Sequence, residues 1–426
     1  MSLERFEVGL FAVALLTSSC ASGTAASSTG PHADDAGPLP TGALAVFAEG
    51  PCARLSAAEL GGRRVLVYGD TGYGLHDWAA GEKLFAAQTI AELTPAGPRR
   101  NPALLRGLPL DERGYVPFSL EVGADSTGRG WLLAVETRYA PRGTGALFVR
   151  ASTPYSYEER DGWSPREGES VVDLGPELPY LPPLPLGRRP ASDSPCGDEH
   201  LEFLPLSHGF GRDGSVFVSG RCQDESHLAY ADTTLVVARA APHASAWSFA
   251  RLPRSNRLDG IVNTATFAVS SKDAWVSAYE PFSPVSGRQS YLVHWDGASF
   301  EEVDLGIDQG IMSLAGGEDG ALYLAAGRGL FKRDARGAVT EVPLPPLHFV
   351  ARPPELHVHD VRSFERAGVF ELWVEATYRV ELSAGEARVS EYASALFSNV
   401  QTPSPIFCDA REAAPSALAY VDEEKR

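Results

Sequence analysis

The chain has 426 residues, 44% of them hydrophobic and 22% charged, the composition of a globular protein long enough for a large core. Its net charge of -18 argues against nucleic acid and anionic membrane surfaces as partners, since both attract Lys and Arg.

Residues 1–19 read as a signal peptide. Val8 to Leu16 is an uninterrupted apolar run, long enough for the central region of such a signal and too short to span a bilayer. Small residues follow, then Cys20, in the stretch Leu-Leu-Thr-Ser-Ser-Cys. This stretch resembles a bacterial lipoprotein signal, which implies that Cys20 is lipidated and opens the mature chain. It departs from that pattern at Thr17, where an aliphatic residue is usual, and at Glu4 and Glu7, which accompany Arg5. Residues 20–42 are small, polar and rich in Pro and Gly. They bury too little apolar surface to fold and read as a flexible tether. The folded domain is expected over 43–415, with a polar tail at 416–426. The anatomy implies export to the cell envelope, at the outer membrane or in the periplasm, or secretion. Membrane contact would come only through the lipid anchor.

Within the domain, short runs of β-branched and aromatic residues recur between Gly, Pro and Asp turns, which predicts an all-β fold. One four-residue pattern repeats: large apolar, aliphatic, any residue, then Ala or Gly. It occurs at Leu66–Gly69, Trp131–Ala134, Phe217–Gly220, Trp275–Ala278, Tyr323–Ala326 and Trp373–Ala376. The starts lie 65, 86, 58, 48 and 50 residues apart, and the last intervals match blades of about 40–50 residues. Turn chemistry precedes several of them, as in Asp213-Gly214 and Asp319-Gly320. In a propeller each blade is covered on both faces by its neighbours, and space tapers toward the axis, which favours the recurrent small residue. The expectation is a β-propeller of six or seven four-stranded blades. Residues 81–116 lack the pattern, leaving room for a hidden blade, and the prolines of 174–200 predict a long loop. The stretch Asp273–Val303 resembles Kelch-like or WD-like propeller repeats of exported bacterial proteins, mostly of unknown function, and Asp319–Asp334 resembles the blade repeats of periplasmic sensor propellers.

Four cysteines remain after Cys20, with no C-x-x-C pair among them, so disulfides are expected in an exported chain. Cys196 and Cys222 flank predicted strands and are expected to pair. Cys52 precedes the first repeated strand and Cys408 follows the last, so closure of a ring predicts a second bridge between them.

Several polar groups invite a chemical reading. Ser290–Val303 carries His294, Asp296 and two glutamates, yet Asp-Gly is a hairpin signal and the reading is a hairpin with a charged edge. Gly209–Gly214 matches G-x-G-x-x-G, but a strand follows where a dinucleotide site needs a helix. His357 and His359 share a strand face about 7 Å apart and are the candidate metal ligands, although the expectation is a solvated or hydrogen-bonded strand face with neither metal nor cofactor. Asp198-Glu199-His200 and His76-Asp77 read as polar loops. The function expected is a non-enzymatic binding module for an unknown protein or glycan at the envelope. The alternatives are a propeller hydrolase or lyase acting on carbohydrate or lactone, and a structural envelope protein without a discrete ligand.

Mass spectrometry of the native N-terminus should find a mature chain that starts at a lipidated Cys20. An intact Met1 would refute export, and a bare Cys20 would refute lipidation alone.

Overall fold

The computed structural model describes residues 40–407 apart from 51–53, 61–62, 71–86, 95–96, 113, 118, 125–129, 143–144, 159, 166–193, 224–233, 242–243, 254–261, 281–290, 349–354, 367–368, 385–386 and 401–404. The described residues are almost entirely strand and turn. β1 (Pro40–Gly50) starts inside the stretch read as tether. β2 (Arg54–Leu60), β3 (Arg63–Asp70), β4 (Ala87–Thr94) and β5 (Gly97–Arg100) form a four-stranded sheet. The same arrangement recurs in β6 (Ser119–Ala124), β7 (Gly130–Arg142), β8 (Gly145–Glu158) and β9 (Gly162–Pro165). It recurs again in β10 (Glu202–Phe210), β11 (Val216–Gln223), β12 (Thr234–Ala240) and β13 (Ser248–Arg251). The next sheet contains β14 (Asn263–Ser270), β15 (Asp273–Tyr279), β16 (Tyr291–Trp295) and β17 (Phe300–Glu302). After it come β18 (Ile311–Gly316), β19 (Leu322–Ala326), β20 (Gly329–Arg333) and β21 (Val339–Val342). The last sheet takes β22 (His357–Arg366), β23 (Val369–Ala384) and β24 (Ala387–Val400), then β1, then the short β25 (Ile406–Phe407). All pairings are antiparallel except that of β25 with β1.

All six repeats of the sequence pattern fall on the second strand of a sheet: β3, β7, β11, β15, β19 and β23. Ala278, Ala326 and Ala376, which end three of them, are fully buried. A second strand is covered on both faces, so it shows no polar alternation to read. Residues 81–116 hide no further blade, because β4 and β5 simply complete the sheet begun by β2 and β3.

Neighbouring sheets pack face to face through apolar clusters. Val65, Val67 and Ile90 of the first sheet meet Leu120, Val122 and Trp163 of the second. Phe217 and Val237 meet Val276 and Val293, and Trp275 and Leu292 meet Leu314 and Leu324. Ala315 and Leu330 meet Val361 and Val374. The last sheet packs on the first, with Phe47, Trp373 and Leu396 against Leu55 and Leu66. Each fully buried large side chain contributes about 1.5–3 kcal/mol. Five four-stranded antiparallel sheets and a five-stranded one, packed on one another through these clusters, are consistent with a β-propeller.

Turns tie the sheets together as well. The Asp213 carboxylate accepts from Ser215 N within its own turn at 3.1 Å and from Ser271 N of the β14–β15 turn at 2.8 Å. Gly107, after a short 3-10 turn at Pro102–Leu105, has φ +84° and leaves no room for a side chain against the Trp163 carbonyl. Cys196 and Cys222 form the expected disulfide, with Cα atoms 5.7 Å apart, within the range cystine requires. Cys20, Cys52 and Cys408 lie outside the described residues.

The first strand of each sheet has a free edge, and buried backbone groups there need partners. Side chains from other strands supply them. Leu55 N donates to Glu375 Oε1 at 3.2 Å, and Leu120 N to Gln88 Oε1 at 2.7 Å. Ser277 Oγ donates to Ile311 O at 2.9 Å, and Val361 N donates to Ser313 Oγ at 3.1 Å. Arg362 Nη1 reaches the carbonyls of Ala57 on β2 and Val122 on β6, at 3.2 and 3.3 Å. Its Nε donates to Asp360 Oδ2 at 2.8 Å, and both side chains are buried.

Arg362→Ala strands Asp360 and two carbonyls in the interior. Denaturant unfolding should show a loss of about 3–5 kcal/mol. Arg212→Ala, which removes an exposed pair with Glu365, should cost less than about 1 kcal/mol. Equal losses from the two would refute the central role of Arg362.

Candidate functional site

His357 opens β22 beside the β19–β20 turn, where Val358 N donates to Gly327 O. The pairing of β22 with β23 slips between Val358↔Ala376 and Asp360↔Glu375. This β-bulge falls at His359 and re-aims its side chain, as bulges do. His359 Nε2 lies 3.6 Å from Glu375 Oε1, and its side chain is 14% exposed against 3% for Glu375. Its Nδ1 lies 3.2 Å from His357 O. A carbonyl only accepts, so Nδ1 carries the proton, and a proton on Nε2 would face a carboxylate. The charged imidazolium therefore has partners at both nitrogens.

The electrostatics separate the two rings, which are 6.5 Å apart between centroids. For His359, burial alone would lower the pKa, but Glu375 and Asp360 outweigh it and raise the group above the ordinary histidine value. For His357, burial of the ring's surroundings lowers the pKa, the neighbouring His359 adds to the shift, and Glu355 opposes it, leaving a value of about 4. The site thus sets an imidazole held well below the ordinary value beside one that its carboxylates hold above it. Pairs pushed apart in this way can divide acid and base roles. Asp360 is itself held by Ser313 Oγ at 2.7 Å and by Arg362.

The sequence placed His357 and His359 on one strand at about the observed spacing. Among the described residues no group of three or more His, Cys, Asp or Glu could hold a metal ion. Of a solvated or a hydrogen-bonded strand face, the structure shows the second at His359, which is largely covered and bonded to His357 O. Glu375 was passed over as the free third position of the last repeat. The signal was a carboxylate at that position, where the other repeats carry Tyr, Leu, Ser, Ser and Ala.

The remaining candidates are structural or undescribed. His294 Nε2 sits 2.9 Å from Asp273 Oδ1, and its ring stacks on Trp275 at 4.1 Å. Asp296 Oδ1 accepts from Ala298 N and Ser299 N, closing the hairpin turn with Gly297 at φ +97°. Gly209–Gly214 runs from β10 into the turn before β11, and no helix follows. Asp198 closes an exposed turn onto His200 N. His76 and Asp77 lie outside the described residues.

No protein-family model matches the chain, and no curated protein matches it. Solved structures do resemble it. A protein of unknown function from Dyadobacter fermentans is 13% identical, with 85% of this chain and 99% of that one covered at a TM-score of 0.46. An α-L-arabinanase from Penicillium chrysogenum is 11% identical, with coverage of 83% and 97% and a TM-score of 0.41. A gluconolactonase from Xanthomonas campestris is 13% identical, with coverage of 88% and 97% and a TM-score of 0.35. At such scores none of them assigns a role to a residue here. The expectation of a non-enzymatic binding module is nevertheless corrected. The similar structures with a stated activity include an arabinanase and a gluconolactonase, which matches the alternative of a propeller acting on carbohydrate or lactone and not the binding module.

Histidine NMR titration should place the His357 midpoint near pH 4 and the His359 midpoint above 6.5. Glu375→Gln should lower the latter. The sign for stability follows by linkage. The His359 contribution is complete below about pH 6.5 and is lost as pH rises through its higher folded value. His357, lowered on folding, opposes stability below about pH 6.5. Coincident midpoints would remove the basis for dividing the roles.

Proposed function

We propose that this protein is an exported β-propeller hydrolase or lyase acting on carbohydrate or lactone substrates. The observation that carries the reading is the pair of imidazoles at the start of β22, shifted in opposite directions by their surroundings. Neutral His357 takes a proton from the attacking water, or from a substrate carbon in a lyase. In its protonated form, with Nε2 turned to Glu375, His359 gives the Nδ1 proton, released from the exposed bond to His357 O, to the departing oxygen. Both residues stand on a paired strand, which suits precise placement.

The remaining parts of the proposal concern context. The sheets close as a ring of six Kelch-like blades, with β1 in the last sheet as the clasp. Cys20 carries a lipid, and the chain acts at the cell envelope on a glycan or a glycan-derived lactone. The Cys196–Cys222 bridge supports an oxidising compartment.

The mature chain should be assayed on nitrophenyl glycosides and on aldonolactones. His357→Ala and His359→Ala should each lower kcat by about 10²–10⁴. The pH–rate profile should rise through about 4, where His357 loses its proton, and fall above about 6.5, where His359 loses its own. Turnover unchanged in both variants would overturn the assignment.

A further inference from the structure

A groove of roughly 300 Å³ opens between the β20–β21 hairpin and the approach to β22, its lining reaching Leu356, the residue before His357. Its apolar wall is Val342, Leu344 and Leu356, all half-buried and packed on the core between the last two sheets. Its polar groups are Arg328, Glu341 and Glu355. Arg328 Nε pairs with Glu355 Oε1 at 2.8 Å, with both side chains 71% exposed. The Arg328 backbone is held by Gln309 Oε1, and the Val358 N–H bond to Gly327 O ties this wall to β22. Gly329 belongs to the groove lining, and a side chain there would crowd Phe331.

Charge and shape narrow the occupant. One guanidinium against two carboxylates leaves the groove net negative, which disfavours an acidic sugar. The apolar wall is aliphatic, whereas selective cation binding commonly uses an aromatic face. A neutral sugar ring fits both facts. Its hydroxyls can pair with the carboxylates and the guanidinium, and its C–H face can lie on the leucines. The volume is at the small end for ligand sites and suits a mono- or disaccharide.

We propose that this groove is a neutral-sugar subsite, with Arg328 and Glu341 as its specificity-determining residues, delivering the substrate to His357. The inference rests on the acid–base reading of His357 and His359 for the reaction, but its test separates the two. Methyl NMR of the His357→Ala chain, titrated with arabinobiose and cellobiose, should shift Leu344 and Leu356. Digalacturonate and the glucosamine dimer should shift them less. Glu341→Ala, at an exposed outer-strand position, should weaken that binding about tenfold. In the active chain it should raise KM with kcat nearly unchanged, the mark of a group that binds substrate and transition state alike. Arg328→Ala should behave in the same way. Groove shifts without turnover in the active chain would support the subsite and count against the proposed reaction. Turnover with no shift at Leu344 or Leu356, a preference for the charged sugars, or an unchanged KM in both variants would overturn the subsite.

Discussion

A strand at the centre of stacked sheets has an edge with no strand to pair it, and this structure is organised around that constraint. Each unpaired N–H or C=O in the interior costs free energy comparable to a lost hydrogen bond. The answer used repeatedly is a polar side chain from another strand. Glu375 takes Leu55 N, Gln88 takes Leu120 N, Ser277 reaches Ile311 O, and Ser313 takes Val361 N. Arg362 spans farthest, joining β22 to β2 and β6 at once. Its charge is matched by Asp360, which Ser313 also holds. These bonds lock the relative heights of the sheets, which apolar contact alone leaves free to slide.

The candidate site grows out of the same device. Glu375 caps β2 with the oxygen that also faces His359. Asp360 steadies Arg362 and adds to the field on the same imidazole. A carboxylate placed for stability thereby makes one histidine a better proton carrier, while His357, two residues away, meets burial and a neighbouring imidazole instead. The bulge at His359 makes this possible, because strict alternation would not direct its ring as the slipped register does. The structural and chemical roles of this corner are therefore coupled, and substitutions at Glu375 act on both.

The aromatic layer shows the same economy of parts. The sheet of β14–β17 is gripped by cations from both sides, Arg239 over Trp295 at 4.0 Å and Arg333 over Trp275 at 4.9 Å. His294 completes that stack against Asp273. A cluster of His, Asp and Trp can thus be wholly architectural, and position in the fold separates it from the pair at β22.

The sequence by itself determined the all-β class, the second strand of every sheet, the Cys196–Cys222 bridge and the hairpin at Asp296-Gly297. Each depends on local chemistry: β-branched runs, a small residue after a large pair, turn residues, or cysteines flanking adjacent strands. The two histidines were visible for the same reason, since strand rise sets their spacing. Tertiary structure alone decided that β4 and β5 complete the first sheet and that Glu375 meets both Leu55 and His359. These are contacts across 320 residues in the case of Glu375 and Leu55, and no local propensity encodes them. The division of charge between His357 and His359 is of this kind too, because a pKa is set by the burial and charges that folding assembles around the ring.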